Sequence, residues 1–157
     1  DLWDETFKSL SPEKAKDYML NPGDILFARS GATVGKTYLY RGGFDACYAG
    51  YLIRARCGEK LLPEFLFLYT KTSMYEAWKN SVYIQATIPN IGADKYSELR
   101  VLVPPIEEQK EIIEAVNKKC ESINNLQREL KTQIEDLYKY RDAIISEAVT
   151  GQIDCPE

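Results

Sequence analysis

The sequence contains no histidine, and this absence excludes several kinds of chemistry. Without histidine there is no Ser-His-Asp or Cys-His catalytic arrangement and no His-ligated metal, and the commonest general base near neutral pH is missing. No apolar run approaches the ~20 residues that a membrane-spanning helix needs, so we expect no contact with a membrane. We predict neither a cofactor nor a metal site.

Cysteine is scarce, and its spacing does not match that of a metal site. The four cysteines are Cys47, Cys57, Cys120 and Cys155, and they form no C-x-x-C pair. This spacing indicates free thiols in the reducing cytoplasm rather than a zinc site or a disulfide framework. The chain begins at Asp1 without an initiator methionine or a signal peptide, as we expect for a piece of a longer protein.

Charge is distributed unevenly along the 157 residues, whose formal net charge is −4. Residues 1–105 carry 13 Lys and Arg against 12 Asp and Glu, whereas residues 106–157 carry 7 against 12. Within residues 25–60, six basic residues stand against two acidic ones. A local basic patch matters more for phosphate binding than the overall charge does. A solvated face of mixed charge would explain the same counts.

The first 105 residues predict a small α+β domain of short strands and helices. Ser11-Pro12-Glu13 has the composition of a helix start, and it predicts a short helix to about Leu20. Strands are predicted over residues 25–28, 37–40, 51–56, 82–84 and 99–103, and further helices after Pro63 and Ser73. The pair Pro104-Pro105 ends this region.

One long C-terminal helix is predicted from Glu107 to about Val149, where the chain has neither glycine nor proline. Its apolar residues recur in alternating steps of three and four, as in the seam of a coiled coil. The predicted seam is Ile113, Val116, Cys120, Ile123, Leu130, Ile134, Leu137, Ile144 and Ala148, interrupted by Gln127 and Arg141. At ~1.5 Å per residue the helix would be roughly 60 Å long, so the seam requires another long helix.

The glycine-bearing segment from Gly31 to Thr37 superficially matches a phosphate-binding P-loop. A P-loop has four residues between its glycines and opens a helix, but three residues separate Gly31 from Gly35. The β-prone residues 38–40 follow instead of a helix. We therefore predict no nucleotide hydrolysis.

Polar side chains on and beside the predicted strands have the chemistry that contacts DNA. The candidates are Arg29, Ser30, Thr33, Lys36, Arg54, Tyr83, Gln85, Thr87 and Asn90. Gln and Asn pair bidentately with adenine and Arg with guanine, while Lys and Arg also hold phosphates. Asn, Ser and Thr are equally ordinary turn formers, and the residues alone favour that interpretation.

Four segments resemble, in the same order, the specificity subunits of type I restriction–modification systems. They are residues 22–36, which include the glycine loop, 85–91, 102–112 and 140–154. Together they extend over nearly the whole chain. The junction Pro-Pro-Ile-x-x-Gln followed by a long heptad helix is the most specific of the four.

The resemblance implies a non-catalytic DNA-recognition module. Members of that family bind a bipartite double-stranded DNA sequence, one half-site per target-recognition domain, and position the methyltransferase and restriction subunits. For this chain it implies a target-recognition domain over residues 1–105, a coiled-coil spacer and dimerisation helix over 106–150, and a tail over 151–157.

The size of the chain departs from the family pattern, because family members usually carry two recognition domains and two long helices. The chain is therefore predicted to be the C-terminal part of a subunit or a half-length subunit that pairs with itself. Its helix would then meet a second long helix of the same subunit or that of a second copy. The alternatives are a coiled-coil interaction scaffold without DNA readout, and an enzyme that uses acids or a cysteine.

Overall fold

A computed structural model describes residues 10–83 and 90–153, except for the side chains of Pro12 and Tyr83. The helices are α1 (Pro12–Ala15), α2 (Pro63–Tyr69), α3 (Ser73–Tyr83), α4 (Ala93–Ser97) and α5 (Ile106–Val149). The strands are β1 (Ile25–Ala28), β2 (Thr37–Leu39) and β3 (Leu52–Ala55), with 3-10 turns at Lys16–Tyr18 and Gly31–Thr33. This architecture confirms the predicted α+β class with one long C-terminal helix.

The three strands form an antiparallel sheet in the order β2-β1-β3. All four residues of β1 are buried, which suits a short apolar run at the centre of a sheet covered on both faces. Because alternate residues point to opposite faces, Ile25 and Phe27 pack with α2 and α3, while Leu26 packs on the other side. The first of these two clusters is the larger core, and Tyr75 of α3 lies fully buried in it.

Two predicted strands are wrong, and the short first helix ends early. Val82 and Tyr83 are the last turn of α3, and residues 99–103 belong to neither a helix nor a strand. Leu99 and Val101 nevertheless pack against the larger core, so their apolar character is explained by burial without strand pairing. The α1 segment turns into the 3-10 helix and stops at Tyr18, two residues before the predicted end.

The start of α5 is attached to the domain by a buried glutamine. Gln109 is fully buried, and its Nε2 donates to the carbonyl oxygens of Lys60 and Pro104 at 2.9 and 2.8 Å. Its Oε1 accepts from the backbone N–H of Leu62 at 2.9 Å. The side chain therefore satisfies backbone groups on both segments that meet at the helix start.

The chain divides into two compact units, Asp1–Ile113 and Glu114–Glu157. In the second unit the described part of α5 leaves its predicted seam largely open to solvent. Ile123, Leu130 and Leu137 are 56%, 48% and 66% exposed. Of the helices in the described ranges, none has the length and apolarity needed to cross a membrane.

Candidate nucleic-acid interface

The loop between β1 and β2, residues 29–36, is hereafter called the glycine loop. Backbone hydrogen bonds close its base, because Gly35 N–H donates to the Ala28 carbonyl at 2.8 Å and Ala28 N–H donates to the Lys36 carbonyl at 2.9 Å. The 3-10 turn Gly31–Thr33 forms its tip. Strand β2, rather than a helix, follows the loop, so the segment lacks the helix N-terminus of a P-loop.

Helix α3 contacts the glycine loop through Tyr75 and Lys79. Tyr75 donates its hydroxyl to the Gly35 carbonyl at 2.8 Å, and burial raises the pKa of Tyr75 far above its ordinary value, so the phenol stays a donor. Gly35 has φ +77°, a left-handed conformation that favours glycine. A Cβ at this position would also displace the aliphatic stem of Lys79, which lies against the loop. The loop is therefore held on a rigid helix.

The structure brings the start of the glycine loop next to Asn90. Ser30 and Asn90 form an isolated antiparallel bridge, and Ile91 N–H donates to the Arg29 carbonyl at 2.8 Å. Arg29 Nε lies 3.5 Å from Asn90 Oδ1 at the outer limit of a hydrogen bond. Ile91 is fully buried and anchors this edge, whereas Ser30 and Asn90 are exposed.

The other predicted contact residues have different surroundings. Thr33 and Lys36 are exposed on the glycine loop. Arg54, on β3, donates from Nη1 to the Met19 carbonyl at 2.8 Å, and its guanidinium lies 5.1 Å from the centre of the Tyr48 ring. Its position is therefore fixed by internal contacts. Gln85 and Thr87 lie outside the described residues, as does the side chain of Tyr83.

A second arginine, directly after β3, forms an internal ion pair. Arg56 makes a bidentate contact with the buried carboxylate of Asp24, at 2.8 and 2.9 Å, and Asn21 N–H donates to the same carboxylate at 2.8 Å. Burial alone would raise the pKa of Asp24. The hydrogen bonds and the positive charges of Arg56 and Arg54 outweigh burial, and the pKa of Asp24 lies below its ordinary value. This carboxylate anchors the turn that precedes β1.

Sequence reasoning missed three side chains that border the glycine loop. Tyr51 is 64% exposed, and its carbonyl accepts from Arg29 N–H at 3.1 Å. Lys71, which follows α2, and Lys79, on α3, line a cleft beside the other end of the loop. No local pattern distinguishes these residues from other surface residues, since only the packing of the helices on the sheet brings them to the loop.

The interface is composed of hydrogen-bonding and cationic groups. Within residues 10–83 and 90–153, no three His, Cys, Asp or Glu side chains converge as metal ligands, and Cys47, Cys57 and Cys120 are free thiols. Cys155 lies outside the described residues. Burial, with a smaller contribution from the charge of Glu64, raises the pKa of Cys57, which disfavours the nucleophilic thiolate. The arrangement is suited to binding a polar, anionic ligand.

Comparison with known protein families finds one match that covers most of the chain. The model for the type I restriction modification DNA specificity domain matches residues 5–136. The specificity subunit of the type I restriction enzyme StySPI from Salmonella potsdam is 26% identical over 149 residues, covering 93% of this chain and 32% of that protein. The EcoKI specificity subunit from Escherichia coli K12 is 25% identical, with the same coverage of 93% and 32%.

A more distant relative and a solved structure agree with this match. The MjaVIII specificity subunit from Methanocaldococcus jannaschii is 23% identical over 135 residues, or 86% of this chain and 30% of that protein. The chain thus spans about a third of the length of these curated relatives. A structure described as the basis of complex assembly and conformational transition of the type I R-M system shares the fold, with a TM-score of 0.70 and 23% identity over 83% of this chain and 31% of that one.

Proposed function

The chain belongs to the family of type I restriction modification DNA specificity domains, and from this membership we propose that it reads a double-stranded DNA sequence as part of a specificity subunit. The observation that carries the proposal is the edge formed by the half-buried Arg29 with the exposed Ser30 and Asn90. Two chain segments 61 residues apart meet there, held by the Ser30–Asn90 bridge and by the buried Ile91. Recognition side chains are typically mounted in this way.

The side chains of the edge match the groups exposed in the major groove. Arg29 offers the planar donor fork that suits guanine, and Asn90 offers the amide that suits adenine. Ser30 and Thr33 can donate to or accept from either kind of base. Gln85 and Thr87 remain proposed contacts from the sequence alone.

Phosphate contacts are proposed for Lys36 and Arg54. Lys36 is exposed at the end of the glycine loop, where a flexible ammonium can reach the DNA backbone. Arg54 uses one of its five N–H donors on the Met19 carbonyl, which leaves others for a phosphate. Of the two, Lys36 is the stronger candidate because its position places no structural demand on the side chain.

The domain organisation and partners are proposed from the same membership. Residues 1–105 would form the target-recognition domain and residues 106–150 a coiled-coil spacer that pairs with a second long helix. That helix would come from the same subunit or from a second copy, and the assembled subunit would position methyltransferase and restriction subunits. The exposed seam of α5 supports pairing. At ~1.5 Å per residue its 44 residues extend well beyond the ~34 Å of one DNA turn.

We propose that the chain itself is non-catalytic. The absence of histidine and the short glycine spacing support this proposal. Purified protein should therefore neither methylate nor cleave DNA nor hydrolyse ATP. ATP turnover that Lys36→Ala abolishes would contradict the proposal. We also propose a cytoplasmic location, which the membership of a restriction modification family supports.

The decisive experiment measures sequence selectivity in the full-length protein assembled with its methyltransferase subunit. The target is first selected from a library of random duplexes, and affinities are then measured for the selected and scrambled sequences. Losing a bidentate contact costs ~1–3 kcal/mol on the correct base only, so Asn90→Ala and Gln85→Ala should each reduce the selectivity about 5- to 150-fold. Asn124→Ala, on exposed α5, is the matched control and should change nothing. An unchanged ratio for Asn90→Ala and Gln85→Ala would show that they are turn formers.

The competing function is a coiled-coil scaffold without DNA readout. The observation in its favour is the exposed apolar seam of α5, which requires a partner whether or not the domain binds DNA. Salt-dependent, sequence-selective binding by the assembled protein separates the two functions, because a scaffold would select no sequence from the library.

A further inference from the structure

A cleft of about 410 Å³ lies beside the glycine loop, between the start of β2 and helices α2 and α3. Three lysines line it, namely Lys36, Lys71 and Lys79, against one acidic residue, Glu76. They come from three separate parts of the chain. The cleft therefore concentrates positive charge at a concave surface, which is what an anionic ligand requires.

A chain of hydrogen bonds connects Lys71, Thr37 and Thr70, and it determines which group is the donor in each bond. Thr70 donates its hydroxyl to the Phe67 carbonyl at 2.7 Å, so it must accept from Thr37 across their 2.7 Å contact. Thr37 in turn accepts from Lys71 Nζ at 2.9 Å. Both hydroxyl protons are thus used inside the protein. Lys71 has three N–H donors and spends one on Thr37, so the remaining donors suit an incoming acceptor.

The ammonium of Lys71 lacks a counter-ion among the described residues, where the ion pairs all involve other side chains. Besides the Thr37 hydroxyl, it contacts the face of the Phe67 ring, whose centre is 4.4 Å from Nζ. Lys71 is exposed as a whole, but the burial of its ammonium against the cleft lowers its pKa. An anion in the cleft would supply the counter-ion that this ammonium lacks.

Lys79 is held differently but contributes to the same cleft. Its ammonium pairs with Glu76 at 2.5 Å, and its stem lies over Gly35. Lys36 emerges from the adjoining end of the loop. The glycine loop therefore has Arg29, beside Asn90, at one end and borders the lysine cleft at the other.

We propose that the lysine cleft binds a phosphate of the DNA backbone, with Lys36, Lys71 and Lys79 as the cationic contacts. The inference rests on the proposed function, and it adds Lys71 and Lys79 to the DNA surface. A phosphate is favoured because the cleft offers N–H donors from cations, and because a backbone contact at one end of the loop would set the register of the base-reading edge at the other.

The test is the salt dependence of binding to a 40-base-pair duplex of random sequence. Full-length protein assembled with its methyltransferase subunit is used, and dissociation constants are measured between 50 and 200 mM salt. Each cation that neutralises a phosphate contributes about 0.9 to the slope of log K against log salt. Lys71→Gln and Lys79→Gln should each reduce the slope by about one unit and weaken binding roughly eightfold at 0.1 M salt. Selected and scrambled duplexes should be affected equally.

Two matched variants control for the charge and for the fold. Lys71→Arg keeps the charge and should retain the slope. Lys110 pairs with Glu107 three residues earlier, just as Lys79 pairs with Glu76, but Lys110 lies on α5 and does not line the cleft. Lys110→Gln should therefore also retain the slope. Thermal melting checks folding. If Lys71→Gln does not fold, the salt dependence of Lys79→Gln tests the proposal by itself.

The outcomes separate this inference from the proposed function. If the wild type binds DNA but Lys71→Gln and Lys79→Gln keep its slope, the lysines are structural and only the cleft proposal is wrong. If the wild type binds no DNA, both proposals are wrong. If ATP or inorganic phosphate without DNA raises the melting temperature of the wild type but not of Lys71→Gln, and the DNA slopes agree, the cleft is a free-anion site and the proposal is overturned.

Discussion

In the unit that ends at Ile113, apolar side chains converge on β1, whereas in the unit that begins at Glu114 they line the exposed surface of one helix. In the described part of the chain, no buried side-chain nitrogen or oxygen lacks a hydrogen-bond partner. The first unit therefore has a buried apolar core whose polar groups are paired within the protein. The second forms backbone hydrogen bonds and side-chain ion pairs such as Lys139–Asp136, but it leaves its apolar seam exposed.

The difference explains how each unit depends on other molecules. A helix is stabilised in water mainly by packing one face against something else, and propensity alone supports it weakly. In the domain, helices α2 and α3 pack against the sheet of the same unit. The seam of α5 has no such packing within its unit, so we propose that its stability depends on a second helix, and four predictions test this contrast.

The largest effect is expected from the double substitution Leu130→Glu/Ile134→Glu in the seam. Burial of each residue across a partner should contribute about 1.5–3 kcal/mol, so the pair should weaken association more than 100-fold. Sedimentation or light scattering measures this. The control Lys131→Glu/Thr132→Glu changes positions outside the seam and should associate normally. A wild type that stays monomeric at high micromolar concentration contradicts self-pairing of the seam.

Tyr75→Ala should have the next largest effect, on the stability of the domain. The variant leaves a cavity in the larger core and removes the hydrogen bond to Gly35, and large-to-small core changes of aromatic residues cost about 3–5 kcal/mol. Urea unfolding followed by fluorescence measures the loss. Tyr140→Ala, at a tyrosine that is 65% exposed on α5, should stay within about 0.5 kcal/mol of the wild type. Equal losses in the two variants would show that the units do not differ in this way.

Substitution by leucine should have opposite effects at two glutamines of α5, destabilising the domain at Gln109 and strengthening association at Gln127. Gln109→Leu leaves the Leu62 N–H and two carbonyls without their buried partner, which costs about 1–3 kcal/mol in the free energy of unfolding. Gln127→Leu replaces a polar interruption of the predicted seam and should strengthen association instead. Unfolding curves and light scattering on both variants make the comparison. A stabilised Gln109→Leu would contradict the role assigned to this side chain.

The smallest expected effect is on the pH dependence of the free energy of unfolding, through Asp24 in the domain. Because the pKa of Asp24 is lower in the folded protein than its ordinary value of about 3.9, its stabilising contribution is complete above that value. It is lost as the pH falls toward the folded pKa. The free energy of unfolding should therefore decrease with acid below about pH 4, and Asp24→Asn should make that decrease shallower. Asp136→Asn, on exposed α5, is the control and should follow the wild type.

Much of the fold was predictable wherever the signal is local. The helix from Ile106 to Val149 depends on contacts between residues three and four apart, and its absence of glycine and proline removes any internal stop. The central strand was predictable for a similar reason, since four consecutive apolar residues suit only a fully covered position. Residues 99–103 show the limit, because in this apolar, β-prone run Leu99 and Val101 pack partly buried against the larger core without strand pairing, and Leu102 is exposed.

The candidate site was only partly predictable. The sequence singled out Arg29 and Asn90 by residue type and by their resemblance to a family, but their approach depends on the Ser30–Asn90 bridge. Likewise, nothing near Lys71 or Lys79 in the chain indicates that both border the glycine loop. Their neighbourhood arises from contacts between residues more than 30 positions apart.

The sequence by itself determined the helix, the polar composition of the glycine loop, the absence of histidine and the family resemblance. The tertiary structure alone decided which arginines are engaged internally, as Arg56 is with Asp24, and which lysines gather at one cleft. The physical reason is the range of the interactions. Helix periodicity and turn chemistry act over a few residues, whereas a binding surface is assembled by side chains whose proximity is created only when the sheet and helices pack together.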